Sequence, residues 1–408
     1  MSDFFTAKQE KLISIFKHNE LKRINLLEGS VRSGKTWISL VLWALWVATM
    51  PEAESYLMVG KTMTALKRNC LEPLKDLVGE NSFDYSFSAK EAVLFDRRIY
   101  LEGVNDSRAE GKIRGLTLAG AYGDEITLFT EDFFTMLLSR LSVAGAKFIG
   151  TTNPDNPNHW LMKKYIKRQN ELNMYTMQFL IDDNTKLDEE YVKSIKQEYT
   201  GVYYQRFILG RWVKAEGLVY ANFNEEKHLT NAYAVEEPYQ YRYFVSIDYG
   251  TINPFAMLLW RLDRDCQAVL VKEYYYNSKE KMQQKTDEQY YEDLEKFVMW
   301  GEVPLFIEMI VIDPSAASFI EIIRQRGHFS YRKANNEVLE GIRITATFLN
   351  MGKILIDERC ENTIDEFRAY AWDEKTEEDK VIKESDHAMD AMRYFVMTVL
   401  KNEMSGRW

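Results

Sequence analysis

Residues 29–36 read GSVRSGKT, with the full Gly-x-x-x-x-Gly-Lys-Thr spacing of a phosphate-binding loop. The apolar run INLL precedes this octapeptide, and the helix-like run WISLVLWALWVA follows it. Strand, glycine loop and helix in this order favour a nucleotide site over the alternative, a glycine turn before an ordinary helix. Backbone N–H groups and a lysine would hold the phosphates, and a threonine hydroxyl would bind Mg²⁺. The predicted ATP-binding residues of this loop are Gly29, Arg32, Ser33, Gly34, Lys35 and Thr36.

Two later strand ends carry the polar residues that an ATPase needs beside such a loop. The run LTLAGAYGDEITLF ends on Asp124 and Glu125, as a Walker B element does. Asp124 would hold the magnesium ion and Glu125 would polarise the attacking water, although an exposed acidic pair has the same pattern. The strand AKFIGTTNP ends on Thr151, Thr152 and Asn153, which we predict to be a coupling segment beside the γ-phosphate; the alternative is an Asn-Pro turn.

Three more side chains are candidates for the same site. Arg114, in GKIRGLTLAG, could stabilise transition-state charge on a neighbouring subunit's nucleotide, with Arg108 as its substitute. A solvated arginine is the alternative in both cases. Gln9, in FTAKQEKLI, could contact the adenine edge through its amide, or could simply be solvated on a helix.

The pattern changes along the chain from strand-then-helix to hairpins, which predicts two domains. We expect strands at 55–62 and around 92–103, an amphipathic helix at 64–78, and a helical, charged stretch at 160–212. Loss of periodicity after residue 212 places a linker at 213–237. The predicted domains are therefore a P-loop ATPase domain at 1–212 and a second domain of mixed type at 238–408.

Acidic residues interrupt the apolar runs of the second half. Asp248 lies in FVSIDYG and Asp313 in EMIVIDPSAAS, and a charge within a buried strand is costly unless it is paired or bound to metal. The helix in SDHAMDAMRYFVMTVL carries Asp386, His387 and Asp390 on one face, although Asp386 could be only a helix cap. These oxygen donors and one imidazole suit two Mg²⁺ or Mn²⁺ ions and predict an RNase H-like nuclease.

Composition narrows the class further. The net charge of −10 argues against a protein that coats nucleic acid through bulk positive charge, but leaves a DNA enzyme open. The three cysteines lie far apart, which favours a reducing cytoplasm over a disulfide framework. The N-terminus lacks the pattern of a signal peptide, and we read the apolar run near 37–50 as the helix behind the phosphate loop and not as a membrane span.

The ordered motifs GSVRSGKT, YGDE, TTNP, GLVYANF and IDYG…VIDPSA…DHAMDAMRY together resemble the large terminase subunit of tailed bacteriophages and prophages, of the PBSX/SPP1-like type. The resemblance covers nearly the whole chain. It implies a RecA/ASCE-like P-loop ATPase domain with a mostly parallel sheet and a C-terminal RNase H-like nuclease domain with a mixed sheet. It also implies an ATP-driven motor that packages viral DNA and an endonuclease that cuts concatemeric double-stranded DNA at the start and end of packaging.

The resemblance carries cofactors, partners and residue roles. It implies ATP with Mg²⁺, two divalent metals in the nuclease site, double-stranded DNA, a portal protein, a small terminase subunit, and a pentameric ring on the procapsid in the host cytoplasm, without a membrane. It assigns catalysis to Glu125, Arg114, Asp248, Asp313 and Asp390, adenine contact to Gln9, and metal contacts to Thr36, His387 and, less closely matched, Asp386.

Two other hypotheses stay open at this point. A helicase-like or repair ATPase-nuclease acting without a capsid would have the same two sites, and an ATP-regulated DNA-binding scaffold would have structural carboxylates. The basic candidates for DNA contact are 163–164 with 167–168, and Arg332 and Lys333 with Arg343; a solvated helix face is the alternative for the first group.

Overall fold

The computed structural model describes residues 5–51, 54–104, 109–232, 240–250, 254–384 and 386–405. The chain divides into two compact units, one of Met1–Lys196 with Val202–Lys214 and one of Gln197–Gly201 with Ala215–Trp408. The sequence predicts a linker at 213–237. From Ala215 onward these residues belong to the second unit, and Tyr220 among them is buried.

The first unit is built on an eight-stranded sheet in the order β3-β4-β5-β2-β6-β7-β1-β8. The pairs from β5 to β8 in this order are parallel, whereas β3, β4 and β5 pair antiparallel. The strands are β1 (Ile24–Gly29), β2 (Tyr56–Gly60), β3 (Phe83–Ser86), β4 (Glu91–Leu94), β5 (Arg97–Gly103), β6 (Gly120–Gly123), β7 (Lys147–Thr152) and β8 (Met174–Phe179).

Both faces of this sheet are covered, which explains why the central strand β2 is apolar along its whole length. Along β2, Tyr56 and Met58 join one core and Leu57 and Val59 join the other. The helices before residue 215 are α1 (Ala7–Lys17), α2 (Lys35–Thr49), α3 (Met63–Leu66), α4 (Glu72–Val78), α5 (Ala109–Ile113), α6 (Glu131–Arg140), α7 (Glu189–Glu198) and α8 (Gly201–Phe207). A π-helical turn, Lys67–Leu71, joins α3 to α4.

Strand β8 corrects the prediction that 160–212 is helical. Met174–Phe179 pairs in parallel with β1 along its whole length, from Ile24 opposite Met174 to Gly29 opposite Phe179. The neighbouring charged segments carry the helical pattern, and a six-residue strand between them is too short to change it. The strand matters to the site because it lies against the strand that leads into the glycine loop.

The second unit contains a seven-stranded mixed sheet in the order β16-β15-β10-β11-β12-β17-β9 and a separate two-stranded ribbon, β13-β14. In the centre, β10 pairs antiparallel with β11 and parallel with β15. The strands are β9 (Leu229–Thr230), β10 (Arg242–Asp248), β11 (Phe255–Leu262), β12 (Ala268–Tyr276), β13 (Met299–Trp300), β14 (Val303–Pro304), β15 (Ile307–Ile312), β16 (Tyr331–Lys333) and β17 (Ile354–Asp357).

Helices pack on both faces of this sheet, and the alternation of β10 determines which face receives the acidic residue. Val245 and Ile247 lie in one core, while Ser246 and therefore Asp248 lie on the opposite face, where Trp260 stacks on Phe395. The helices are α9 (Glu225–His228), α10 (Asp287–Phe297), α11 (Ala317–Arg326), α12 (Val338–Asn350), α13 (Glu361–Ala369), α14 (His387–Phe395) and α15 (Lys401–Ser405).

Two expectations from composition can be compared with this fold. Among the helices that the structure describes, none has the length and apolar character that crossing a membrane requires. The cysteines Cys70, Cys266 and Cys360 are free and buried. The apolar run near 37–50 is indeed helix α2, whose Ile38, Leu42 and Trp43 are buried.

Candidate functional sites

The glycine loop of the first unit connects β1 to α2 and is tightly held. Gly29 has φ of +132°, and a Cβ there would lie 1.9 Å from the Phe179 carbonyl oxygen, so no other residue fits. The Ser30 N–H donates to the same carbonyl, and the Val31 N–H donates to the Phe207 carbonyl. Gly34 has φ of +80° and lies immediately before α2, so the loop ends at a helix N-terminus, where backbone dipoles favour phosphate.

Lys35 lies inside this loop and not in solvent. Its Nζ donates to the Ser30 carbonyl at 2.8 Å and to Asn153 Oδ1 at 2.7 Å. Burial lowers the pKa of Lys35 to about 8, against the charges of Glu125 and Asp124, which raise it. Strands β1 and β7 are adjacent and parallel, so the predicted coupling residue Asn153 is at the same sheet edge as the loop.

Both oxygens of the Asp124 carboxylate accept hydrogen bonds. The Thr151 hydroxyl donates to Oδ1 at 2.9 Å, and Asn69 Nδ2 donates to Oδ2 at 3.1 Å. Asp124 and Thr151 are buried. The sequence analysis missed Asn69, because it lies within a predicted helix with no distinguishing neighbour; the π-helical turn Lys67–Leu71 carries it. Such turns are often found at functional sites.

Glu125 follows Asp124 in a left-handed conformation, with φ of +54°, which is uncommon for a residue other than glycine. Its N–H donates to the Thr151 hydroxyl at 3.3 Å. The Thr152 hydroxyl instead contacts the Thr127 hydroxyl at 3.0 Å. The two threonines of the predicted coupling segment thus have different partners, and only Thr151 contacts the acidic pair directly.

The remaining predicted ATP-site residues are Gln9, which borders the glycine loop, and Arg32, Ser33 and Thr36, which belong to the loop motif. Gln9 is buried, its Oε1 accepts from the Thr6 N–H at 3.0 Å, and its Nε2 lies 3.1 Å from where a Cβ of Gly34 would be, so it borders the loop. Thr36 is in the first turn of α2, half-buried, and Arg32 has its carbonyl bound by Asn184 Nδ2 at 2.8 Å. Ser33 is buried and donates to the Ser30 carbonyl at 2.9 Å.

The structure does not bring Arg114 to these residues in its own unit. Arg114 is exposed and forms an ion pair of 2.8 Å with Glu110, one turn earlier in the chain. Its substitute in the prediction, Arg108, lies outside the described residues.

In the second unit, Asp248 at the end of β10 and Asp313 just after β15 share one partner. The Tyr394 hydroxyl lies 2.7 Å from Asp313 Oδ2 and 3.4 Å from Asp248 Oδ1. Burial opposes ionisation of Asp313, yet hydrogen bonds from Tyr394 and Ser315 lower its pKa overall. Tyr394 was missed in the sequence analysis, although it stands four residues after Asp390 and so lies on the same helix face.

His387 begins α14 and binds Asp248, with its Nδ1 2.8 Å from Oδ2. Burial raises the pKa of Asp248, against the hydrogen bond from His387, which lowers it. Burial would lower the pKa of His387, but its hydrogen bond with Asp248 and the charge of that carboxylate raise it overall. The contact between the two side chains therefore acts in opposite directions, lowering the pKa of Asp248 and raising that of His387.

Two cations form ion pairs with the helix acids Asp386 and Asp390. Lys383 Nζ is 3.1 Å from Asp386 Oδ2 and 3.2 Å from Asp390 Oδ2, and the buried Arg393 binds Asp390 Oδ1 at 2.7 Å. The sequence analysis did not single out either cation. Within the described residues, no three His, Cys, Asp or Glu side chains are arranged in this conformation as a metal-ion site.

The donor set nevertheless fits hard divalent ions by its chemistry. The carboxylates of Asp248 and Asp313 share the hydroxyl of Tyr394 as a partner. The carboxylate of Asp390 and the imidazole of His387 lie on helix α14. Oxygen donors with one imidazole are the ligands that Mg²⁺ and Mn²⁺ accept. Cationic side chains pair with the carboxylates on α14, which is a usual way to compensate buried acids.

Comparisons with known proteins assign a terminase family to each half of the chain. The family Terminase large subunit, T4likevirus-type, N-terminal, matches residues 26–227, and the family Terminase RNAseH like domain matches residues 248–398. The structure of a large terminase from a thermophilic bacteriophage has 37% sequence identity and a TM-score of 0.90, and the match covers 97% of this chain and 99% of that chain.

Two further phage proteins are similar to this chain, one compared in structure and one in sequence. The same thermophilic phage's large terminase in complex with ATP-γ-S has 37% identity and a TM-score of 0.86, with 97% of this chain and 99% of that chain covered. The large terminase subunit of Escherichia phage T5 is 22% identical over 231 residues, which is 54% of this chain and 51% of that protein, about half its length. The chain therefore belongs to the phage large terminase subunits, with the N-terminal family of that subunit in its first half and the terminase RNase H-like domain in its second.

Proposed function

We propose that this large terminase subunit drives double-stranded viral DNA into a preformed shell by hydrolysing ATP at the glycine loop, and cuts concatemeric DNA with two divalent ions at the cluster Asp248, Asp313 and Asp390. The single observation that carries the proposal is the contact of Lys35 with Asn153, because it links a phosphate-binding lysine to the tip of the neighbouring strand. The similar large terminase of the thermophilic phage has been solved in complex with ATP-γ-S, which supports nucleotide binding by this chain.

At the ATPase site, each residue has a role that its position supports. Lys35 and the loop N–H groups bind the phosphates, and the helix N-terminus adds its dipole. Asp124 and Thr36 would hold the Mg²⁺ that accompanies ATP, which neutralises phosphate charge when bound. Glu125, which directly follows Asp124 in a left-handed backbone conformation, accepts the proton of the attacking water.

Coupling follows from competition for Lys35. Its Nζ binds Asn153 Oδ1 and the Ser30 carbonyl. A γ-phosphate is a stronger, charged acceptor, so its arrival releases Asn153 and its loss restores the contact. Thr151 would transmit the same event to Asp124 through its hydroxyl. The segment Thr151, Thr152 and Asn153 therefore senses the phosphate.

At the nuclease site, Asp248, Asp313 and Asp390 are the proposed metal ligands, with His387 and Asp386 as further contacts. The metal ions would supply an activated water and charge stabilisation for the leaving oxygen of a phosphodiester. Tyr394 holds the first two carboxylates in place through its hydroxyl, and His387 orients Asp248. Lys383 and Arg393 form ion pairs with the helix acids and so compensate the negative charge of the buried carboxylates.

The partners are proposals of the same kind. We infer a pentameric ring on the procapsid portal, in which Arg114 reaches the neighbouring subunit's nucleotide, and a small terminase subunit that selects DNA. The exposure of Arg114 supports a role outside its own site. The proposed location is the host cytoplasm. The proposed division of the chain is an ATPase domain at 1–212, a linker at 213–237 and a nuclease domain at 238–408.

Packaging and unwinding separate this proposal from the helicase-like alternative. In a packaging reaction with procapsids, ATP should make DNA resistant to added DNase with wild type and not with Lys35→Ala. A duplex carrying a fluorophore and a quencher should stay paired during ATP hydrolysis. Strand separation by wild type, lost in Lys35→Ala, would instead establish the helicase-like reading.

A further inference from the structure

Helix α14 starts without a cap of its own. Asp386 stands at its N-cap position but makes no side-chain hydrogen bond to the first turn, and its carboxylate binds Lys383 instead. Most helices satisfy their free N-terminal N–H groups with the N-cap side chain. In this helix the N–H groups of Ala388 and Met389 donate to Glu366 Oε2, at 2.7 and 3.0 Å.

Glu366 belongs to the neighbouring helix α13 and is 3% exposed. Its other oxygen, Oε1, accepts from the Tyr275 hydroxyl on β12 at 2.8 Å. Three donors from two elements therefore converge on one buried carboxyl. Burial raises the pKa of Glu366 to about 7, although Tyr275 and the two N–H groups lower it.

The two N–H groups lie between the site residues of the helix. His387 precedes them and Asp390 follows them in the same turn of α14. Whatever fixes this turn also fixes the backbone from which both side chains project. Because Asp386 is engaged with Lys383, the carboxyl of Glu366 is the acceptor that holds the turn.

We propose that Glu366 is a positioning residue of the nuclease site, which caps α14 from the adjacent helix and so sets the placement of His387 and Asp390. The inference rests on the proposed metal-binding role of that site. In this proposal the length of the Glu366 side chain and its acceptor oxygen hold the first turn of α14, and its negative charge is not required.

Reach and charge can be separated by substitution. Glu366→Gln keeps the length and one acceptor oxygen for the two N–H groups, whereas Glu366→Asp keeps the charge and shortens the side chain. Asp365→Ala, at an exposed neighbour on the same helix, is the matched control. Partners that orient metal ligands typically contribute about 10- to 100-fold in metal affinity, so Glu366→Asp should weaken Mn²⁺ binding by about tenfold or more, and Glu366→Gln should stay within about twofold of wild type.

The test measures Mn²⁺ binding by calorimetry on the full chain, supercoiled-plasmid cleavage, and hydrogen exchange of the peptide that spans residues 386–395. We expect faster exchange, weaker Mn²⁺ binding and slower cutting in Glu366→Asp alone, with wild-type hydrogen exchange in peptides of the β10–β12 core as evidence that the second unit is folded. Wild-type behaviour of Glu366→Asp, or equal impairment of Glu366→Gln, would overturn the proposal.

Two more arms keep the result decisive. If Glu366→Asp does not fold, Tyr275→Phe replaces it, since it removes only the hydroxyl that fixes Glu366; a two- to fivefold weaker Mn²⁺ affinity supports the inference and an unchanged affinity refutes it. Failure of wild type to bind Mn²⁺ or to cut would instead defeat the proposed nuclease site itself. The two failures are therefore distinguishable.

Discussion

Replacing Thr151 by valine removes one hydroxyl and nearly conserves the shape of a buried side chain. That hydroxyl donates to Asp124 Oδ1 at 2.9 Å and accepts from the Glu125 N–H at 3.3 Å. The substitution therefore breaks the link between the proposed coupling segment and both acidic residues. The second oxygen of Asp124 keeps its bond from Asn69, so the carboxylate loses one of two restraints.

The magnitude follows from the charge of the acceptor. A hydrogen bond to a charged group contributes about 1.5–3 kcal/mol, which is more than a neutral bond contributes. Asp124 must be correctly placed for Mg²⁺ in the transition state of ATP hydrolysis, so the lost hydrogen bond raises the activation free energy. Because about 1.36 kcal/mol corresponds to a factor of ten in rate, kcat should decrease by about 10- to 150-fold. We expect the KM for ATP to change much less, because Lys35 and the loop that bind the phosphates are untouched.

Thr152→Val is the matched control for this change. Its hydroxyl is buried in the next position of the same strand but contacts Thr127 and not the acidic pair. Steady-state phosphate release over a range of ATP concentrations measures kcat and KM for both variants, and plasmid cleavage checks that the second unit remains active. An ATPase rate within twofold of wild type for folded Thr151→Val, or an equal loss in Thr152→Val, contradicts the reasoning.

Three other changes have expected outcomes. Gln9→Ala should weaken binding of a fluorescent ATP analogue by about three- to tenfold with little effect on kcat, as the loss of one hydrogen bond predicts; unchanged affinity would exclude the adenine contact. Arg332→Ala with Lys333→Ala, at exposed positions of the strand beside β15, should reduce the slope of log DNA affinity against log salt by about 1.8, and an equal slope would remove them from the DNA surface. The pKa of Glu366 is raised from 4.5 to about 7, so the folded state holds that proton more tightly and the free energy of unfolding falls as pH rises through this window. Urea denaturation of Glu366→Gln at about pH 5 and about pH 7.5, on either side of most of that window, should show a smaller decrease than wild type, and an equal decrease would place the titration elsewhere.

Residues that interrupt a strong local pattern were the ones that sequence reasoning could identify. The glycine loop is recognisable because its backbone conformations need glycine, and Gly29 has a neighbour that leaves no room for a Cβ. Asp248 stands out because it is the one acidic residue of a mostly apolar strand, β10, and its alternation with Val245 and Ile247 determines the face on which it lies. These signals are local, so they survive without any knowledge of tertiary structure.

The residues that sequence reasoning missed act across distant parts of the chain. Asn69 reaches Asp124 from a π-helical turn, and Glu366 reaches α14 from another helix; neither has an unusual neighbour in sequence. Strand β8 is six residues long and becomes a strand by pairing with β1, which tertiary contact decides and local propensity does not. The partner of Arg114 in a ring would lie in another subunit, so no contact within one chain can identify it.

The central claim is that one chain holds two separate reactive sites, and one comparison tests it most directly. Lys35→Ala and Asp248→Ala are assayed side by side for ATP turnover and for Mg²⁺- or Mn²⁺-dependent cutting of supercoiled plasmid. The account predicts that Lys35→Ala loses ATP turnover and still cuts, while Asp248→Ala stops cutting and still hydrolyses ATP. Loss of both activities in either folded variant would contradict it.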